Sequence, residues 1–315
     1  MQKNKKLLKI LYIVLALVVC VTIFCFGAVL FGKKNSDGSN GQQTEGNLTG
    51  SSDDQTGCLF DGLVHGSNML KAEPVNIDGV KTIVYFLDDY EKKPIVILQH
   101  GLTSKKEDVK DLATAIANAG YVVVTPDAAG HGEMKSKDRV SVVEMAEQTA
   151  LNFETVLDYF QTSCYVDGER IGLVGFSLGG LASFYYTANG DYNPKVVVSL
   201  CSTPDFDSLT DTYVAYQFCK NGVLSGVKNE KERDALEEQI RSNSPYDKLL
   251  TDTDTCFFMV CGDADDVVPH EGNIRFYEEG KDVCKDMKLL VKEKQKHEVT
   301  EEDLMQVLEY LKGHL

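Results

Sequence analysis

Residues Arg170 to Gly180 read RIGLVGFSLGG, and no other stretch constrains the chain as much. Ile171 to Phe176 is an apolar run of strand length, and Leu181 to Ala188 reads as a helix, so the backbone must turn sharply between them. Gly175, Ser177 and Gly179 form G-x-S-x-G at that junction. A strand-to-helix turn of this kind pushes a serine hydroxyl into a cleft. Glycines flank the serine because side chains there would strike the neighbouring strand and helix.

A serine hydroxyl alone is a weak nucleophile. It needs a base, a group that orients the base, and N–H donors for a developing oxyanion. Thr255 to Cys261 reads as a second buried strand, followed by Gly262-Asp263-Ala264-Asp265-Asp266-Val267-Val268-Pro269. Functional groups of α/β sheets sit just past the carboxyl ends of strands, and three aspartates compete there. Of the later histidines, His270 stands where a helix should begin, and His314 is next to last in the chain. His297 lies in a loop between a strand-like run, Met287 to Val291, and a helix starting near Thr300. For the oxyanion, the N–H of Leu178 follows the serine directly. Pro94 to Leu98 is another buried strand, and it leads into Gln99-His100-Gly101-Leu102-Thr103-Ser104.

Taken together, these segments resemble the α/β-hydrolase family over residues 58–315, nearest to its dienelactone-hydrolase-like, serine-aminopeptidase-like and cinnamoyl-esterase-like members. The resemblance implies a triad in the order Ser, Asp or Glu, His. The match to G-x-x-D-x-x-V-P makes Asp265 the acid, with Asp266 second and Asp263 a loop residue. His297 is then the base, in the loop after the last strand. His-Gly at residues 100–101 resembles the family's oxyanion loop, which makes Leu102 the second donor beside Leu178. Asp127 to Gly132 resembles its D-x-x-G-H-G loop. His100 and His131 read as structural braces of these loops. The implied chemistry is that of a serine hydrolase acting through an acyl-enzyme, with no metal and no organic cofactor. The motifs specify fold and nucleophile but not substrate. A carboxylesterase is the expectation, a peptidase of similar chemistry or an acyltransferase the alternative. A non-catalytic binding protein is disfavoured because every triad member is present.

The first 57 residues differ in kind. Lys3, Lys5, Lys6 and Lys9 lead into Ile10 to Gly32, a run of 23 residues without a charge. That length crosses ~30 Å of hydrocarbon as a helix. It exceeds the apolar core of a cleaved signal peptide, and Gly27 to Gly32 makes a poor cleavage site. Residues 1–9 therefore read as a cytoplasmic basic terminus and 10–32 as a single-pass transmembrane signal anchor. The lysine excess before the span places the catalytic domain outside the cell membrane. Residues 33–57, rich in Gly, Ser, Asn, Gln and Thr, read as a flexible tether.

Residues 58–315 alternate strand-like and helical runs, which predicts one α/β domain with a mainly parallel sheet and helices on both faces. Asp78-Gly79 reads as a hairpin turn between antiparallel edge strands over Val75 to Leu87. Residues 203–250 break the alternation, and a long insertion at strand carboxyl ends is expected to act as a small helical lid. Its Tyr213, Tyr216 and Phe218 either line an acyl pocket or pack the lid onto the body.

The formal charge of −16 excludes nucleic acid as a partner. A small-molecule ester or peptide is the expected substrate, with the membrane met through the N-terminal helix. Nine cysteines show no C-x-x-C or Cys/His ligand spacing, so no metal site is expected. Those on strands read as small apolar fillers.

Overall fold

The computed structural model describes residues 58–315 apart from 222 and 252. The basic terminus (1–9), the candidate span (10–32) and the tether (33–57) lie outside the described residues. No helix among the described residues is long and apolar enough to cross a membrane.

The domain opens with a hairpin. β1 (Leu70–Ile77) pairs antiparallel with β2 (Val80–Leu87), and both turn residues, Asp78 and Gly79, have positive φ, +46° and +96°. That geometry matches the twist of the strands it joins. β3 (Lys93–Gln99), α1 (Lys110–Asn118), β4 (Val122–Pro126), the short β5 (Val140–Ser141) and α2 (Val142–Gln161) follow. Next come β6 (Val166–Phe176), α3 (Leu178–Asn189) and β7 (Val196–Leu200). After the insertion the chain resumes with β10 (Thr253–Gly262), α6 (Glu271–Gly280), β11 (Cys284–Lys292) and α7 (Glu301–His314).

Eight of these strands form one sheet in the order β1-β2-β4-β3-β6-β7-β10-β11. From β4 to β11 every pairing is parallel, and only β2 runs against its neighbours. Parallel neighbours need helical crossovers, so both faces are covered and the central strand segments, such as residues 95–98, 171–174 and 257–260, are apolar. Successive strand residues point to opposite faces. Ile95, Ile97, Leu173, Val197, Phe257 and Met259 pack with α2, α3 and α6. Val96, Leu98, Val174, Val198, Phe258 and Val260 pack with α1 and α7. Each such side chain contributes about 1.5–3 kcal/mol by leaving water. These two cores hold the carboxyl ends of β3, β6, β7, β10 and β11 along one edge of the sheet.

The insertion is not the purely helical lid expected above. It holds short 3-10 turns, then β8 (Gln217–Lys220), β9 (Val223–Gly226), α4 (Glu230–Ser242) and α5 (Tyr246–Leu249). β8 and β9 form a hairpin that pairs with β5 in a second, three-stranded sheet. The physical reason is the turn: Asn221 has a φ of +54°, and the Asn221-Gly222 dipeptide favours a two-residue hairpin over a helix. Arg139 fastens this sheet. Its guanidinium lies 3.7 Å from the Phe218 ring centroid, pairs with Glu232 and donates to the Gly226 carbonyl at 2.6 Å.

Candidate active site

Ser177 sits between β6 and α3 with φ +51° and ψ −112°. For a residue with a Cβ this is a rare conformation, and surrounding contacts must enforce it. A Cβ on Gly175 would lie 2.2 Å from the Gly179 carbonyl oxygen, and one on Gly179 would lie 2.3 Å from the Gln99 carbonyl oxygen. The elbow is therefore pressed against the end of β3, and only glycine fits at both flanks. The Ser177 N–H donates to the Leu200 carbonyl at 2.9 Å, which ties the elbow to β7.

The structure brings His297 and Asp265 to this serine. His297 Nδ1 lies 2.7 Å from Asp265 Oδ2, and its Nε2 lies 3.0 Å from Ser177 Oγ. With Nδ1–H donating to the carboxylate, Nε2 is the acceptor for the hydroxyl proton. The other Asp265 oxygen, Oδ1, accepts from the Val267 and Val268 N–H groups at 2.8 and 3.0 Å. Both carboxylate oxygens are thus held, and the carboxylate is fully buried. Ser177 is 8% exposed and the His297 side chain 11%, so both are largely shielded but keep some contact with solvent.

Asp266 is exposed. Asp263 does more than the sequence suggested: its Oδ1 accepts from the Lys294 N–H at 2.5 Å. The Ala264 N–H donates to the Gln295 carbonyl at 3.0 Å, and a Cβ on Gly262 would lie 2.0 Å from that same oxygen. The acid loop and the histidine loop are therefore zipped together by backbone bonds. His270 stands before α6 beside Glu271, and His314 stacks on Tyr310, so neither meets Ser177.

The loop after β3 lies against the elbow, since a Cβ on Gly101 would meet the Phe176 ring at 2.7 Å. Two buried imidazoles shape it. His100 donates through Nδ1 to the Gly101 carbonyl at 2.8 Å and accepts from the Ala128 N–H at 2.9 Å. His131 donates to the Ala129 carbonyl at 2.9 Å and accepts from the Thr103 N–H at 3.0 Å. Thr103 has a φ of +66°, and the His131 bond fixes that turn just past Leu102. Burial pushes the pKa of His100 down to about 4 and lowers that of His131, so both are neutral and able to accept. Asp127, fully buried beneath them, bonds Lys106 Nζ at 2.9 Å. Burial opposes its charge, yet Lys106 and two backbone N–H groups hold its carboxyl below the ordinary value. The Leu178 N–H opens α3, with no carbonyl four residues back in the helix to receive it.

One neighbour was missed by sequence reasoning. Cys201, the first residue past β7, is buried, has a φ of +50° and places Sγ 3.2 Å from the Glu298 carbonyl oxygen. It read as an apolar filler; the available signal was its place at a strand's carboxyl end. In the insertion, Tyr216 carries Arg233 of the insertion at 4.1 Å, whereas Phe218 carries Arg139 of the body at 3.7 Å, so the first packs the insertion and the second fastens it to the body. Tyr213 is 57% exposed.

A histidine held between a carboxylate and a serine hydroxyl can accept the hydroxyl proton as the oxygen attacks a carbonyl. Known proteins resemble the chain in sequence and fold. Residues 108–315 match the family model described as the prolyl oligopeptidase family. Escherichia coli esterase YjfP is 25% identical over 229 residues, 70% of this chain and 89% of that one. Porphyromonas gingivalis dipeptidyl-peptidase 5 is 26% identical over 153 residues, 48% of this chain but 22% of that one. The solved Pyrococcus furiosus esterase Pf2001 has the same fold, with a TM-score of 0.54 at 21% identity over 79% of this chain and 94% of that one.

Proposed function

The chain belongs to the prolyl oligopeptidase family and is a serine hydrolase with the α/β-hydrolase fold; from that premise we propose that it is a carboxylesterase working through an acyl-enzyme on Ser177. In this reading Ser177 Oγ attacks the ester carbonyl while His297 Nε2 takes its proton. Asp265 keeps Nδ1 protonated and stabilises the imidazolium. The Leu178 and Leu102 N–H groups hold the oxyanion. His297 then protonates the departing alkoxide, activates a water, and the acid is released. The observation that carries the reading is the pair of distances at His297, 3.0 Å to Ser177 and 2.7 Å to Asp265.

The ester is preferred over the peptide because similarity to the esterase spans 89% of that protein, whereas similarity to the peptidase spans 22% of it. A peptidase remains the second reading, favoured by the family itself. Rates on p-nitrophenyl esters of increasing acyl length, beside aminoacyl-p-nitroanilides, separate the two. The ester series is expected to show the higher kcat/KM. Turnover of anilides with esters at background assigns a peptidase instead.

The uncharged run 10–32 supports a single-pass membrane anchor, the lysine excess before it supports an outward-facing catalytic domain, and the length of the insertion at residues 203–250 supports a lid over the site. External protease on intact cells should remove the domain near residues 33–57. Full protection would reverse the orientation.

A further inference from the structure

Cys201, Asp265 and His297 come from three separate strand ends, past β7, β10 and β11. One donor atom from each lies within 4.8 Å of the other two. Thiolate, imidazole and carboxylate are together the donor set that Zn2+ and Cd2+ prefer and that Mg2+ and Ca2+ do not. A tetrahedral Zn2+ takes sulfur at about 2.3 Å and nitrogen or oxygen at about 2.0–2.2 Å. Donors of a tetrahedral ion stand closer together than the 4.8 Å limit found here, so binding draws the three side chains inward. Cys201 has a left-handed backbone, φ +50°, just past the end of β7. The His297 side chain and Ser177 keep some contact with solvent, 11% and 8% exposed.

We infer that these three residues form an inhibitory site for a thiophilic divalent cation, lying across the catalytic base. On binding, the Cys201 S–H proton leaves to solvent and an S–metal bond replaces its contact to the Glu298 carbonyl. His297 gives the ion one ring nitrogen. If that nitrogen is Nδ1, its proton moves to Nε2, which then can no longer accept from Ser177. If it is Nε2, the lone pair that Ser177 needs is already used. Either way the base is lost, and the ion also takes the carboxylate that would stabilise the imidazolium. The effect on rate rests on the proposed roles of Ser177 and His297; the cation site itself does not.

The test uses the full chain with Zn2+ and Cd2+ as probes, before and after chelation by EDTA. Zn2+ should inhibit the wild-type enzyme reversibly, and Mg2+ and Ca2+ should not. Cys201→Ser should keep the basal rate while its Zn2+ inhibition weakens by at least about 10–100-fold, the loss seen when even a supporting residue of a metal site is removed. On a Cys164→Ser background, which removes the exposed thiol, Cd2+ should give a thiolate charge-transfer band with Cys201 present and with Ser177→Ala, but not with Cys201→Ser. Cys201→Gly, which relaxes the positive φ, must behave like Cys201→Ser. A Cys201-dependent Cd2+ band in a protein that turns over no ester keeps the site and sinks the proposed function. Equal Zn2+ sensitivity in wild type and Cys201→Ser, or a Cd2+ band that survives in Cys201→Ser, overturns the site.

Discussion

Three aspartates stand within four positions past β10, and their environments set them apart. Asp265 is buried, accepts two backbone N–H bonds on one oxygen and faces His297 Nδ1 at 2.7 Å with the other. Asp263 bonds a backbone N–H of the histidine loop, and Asp266 faces solvent. Asp265→Asn should therefore lower kcat by about 10⁴-fold, because an amide neither holds the Nδ1–H tautomer nor stabilises the imidazolium. Asp263→Asn should stay within a few-fold of wild type, since an amide oxygen still accepts from Lys294. Steady-state kinetics on one activated ester decide it. A crippled Asp266→Asn beside an active Asp265→Asn would move the acid by one residue.

At the scale of elements, the site depends on loops that touch one another. Gly262 ends β10 where a Cβ would come within 2.0 Å of the Gln295 carbonyl. Gly262→Ala should push the acid and histidine loops apart, costing about 1–3 kcal/mol of stability as overpacking does, and activity with it. Gly62→Ala, with nothing within 4 Å of its added Cβ, is the control. Equal melting temperatures for the two variants would show that the loops yield without strain. The strands and helices around these loops were legible in sequence, because apolar runs and their periods depend on local burial. The elbow was legible because its glycines answer a local steric demand. The loop zipper and Cys201 were not: the first is made of backbone bonds between loops that carry no residue pattern, and the second depends on β7 and β10, far apart in sequence, becoming neighbours in the sheet. The β8–β9 hairpin carried a local signal at Asn221-Gly222, but it sat inside a segment whose polar stretches pointed to helix.

For the molecule as a whole, the two neutral imidazoles under the oxyanion loop couple stability to pH. The folded pKa of His100 is depressed, from an ordinary 6.5 to about 4. The unfolded chain therefore takes up the proton first as pH falls. The stabilisation from keeping His100 neutral is complete above about pH 6.5 and is lost as pH drops toward 4; His131, also lowered, adds in the same direction. Between pH 7 and 4.5 the loss from His100 should be about 2–3 kcal/mol. Urea midpoints at the two pH values should thus fall further in wild type than in His100→Asn, which has no such proton to bind. An equal fall in both would assign the acid sensitivity elsewhere. The central claim, a serine nucleophile at the elbow, is tested most directly by the intact mass of the protein after exposure to a fluorophosphonate. The wild-type chain should gain one phosphonyl group, on the peptide containing Ser177, and Ser177→Ala should gain none. Labelling of Ser177→Ala at the native rate would contradict the account.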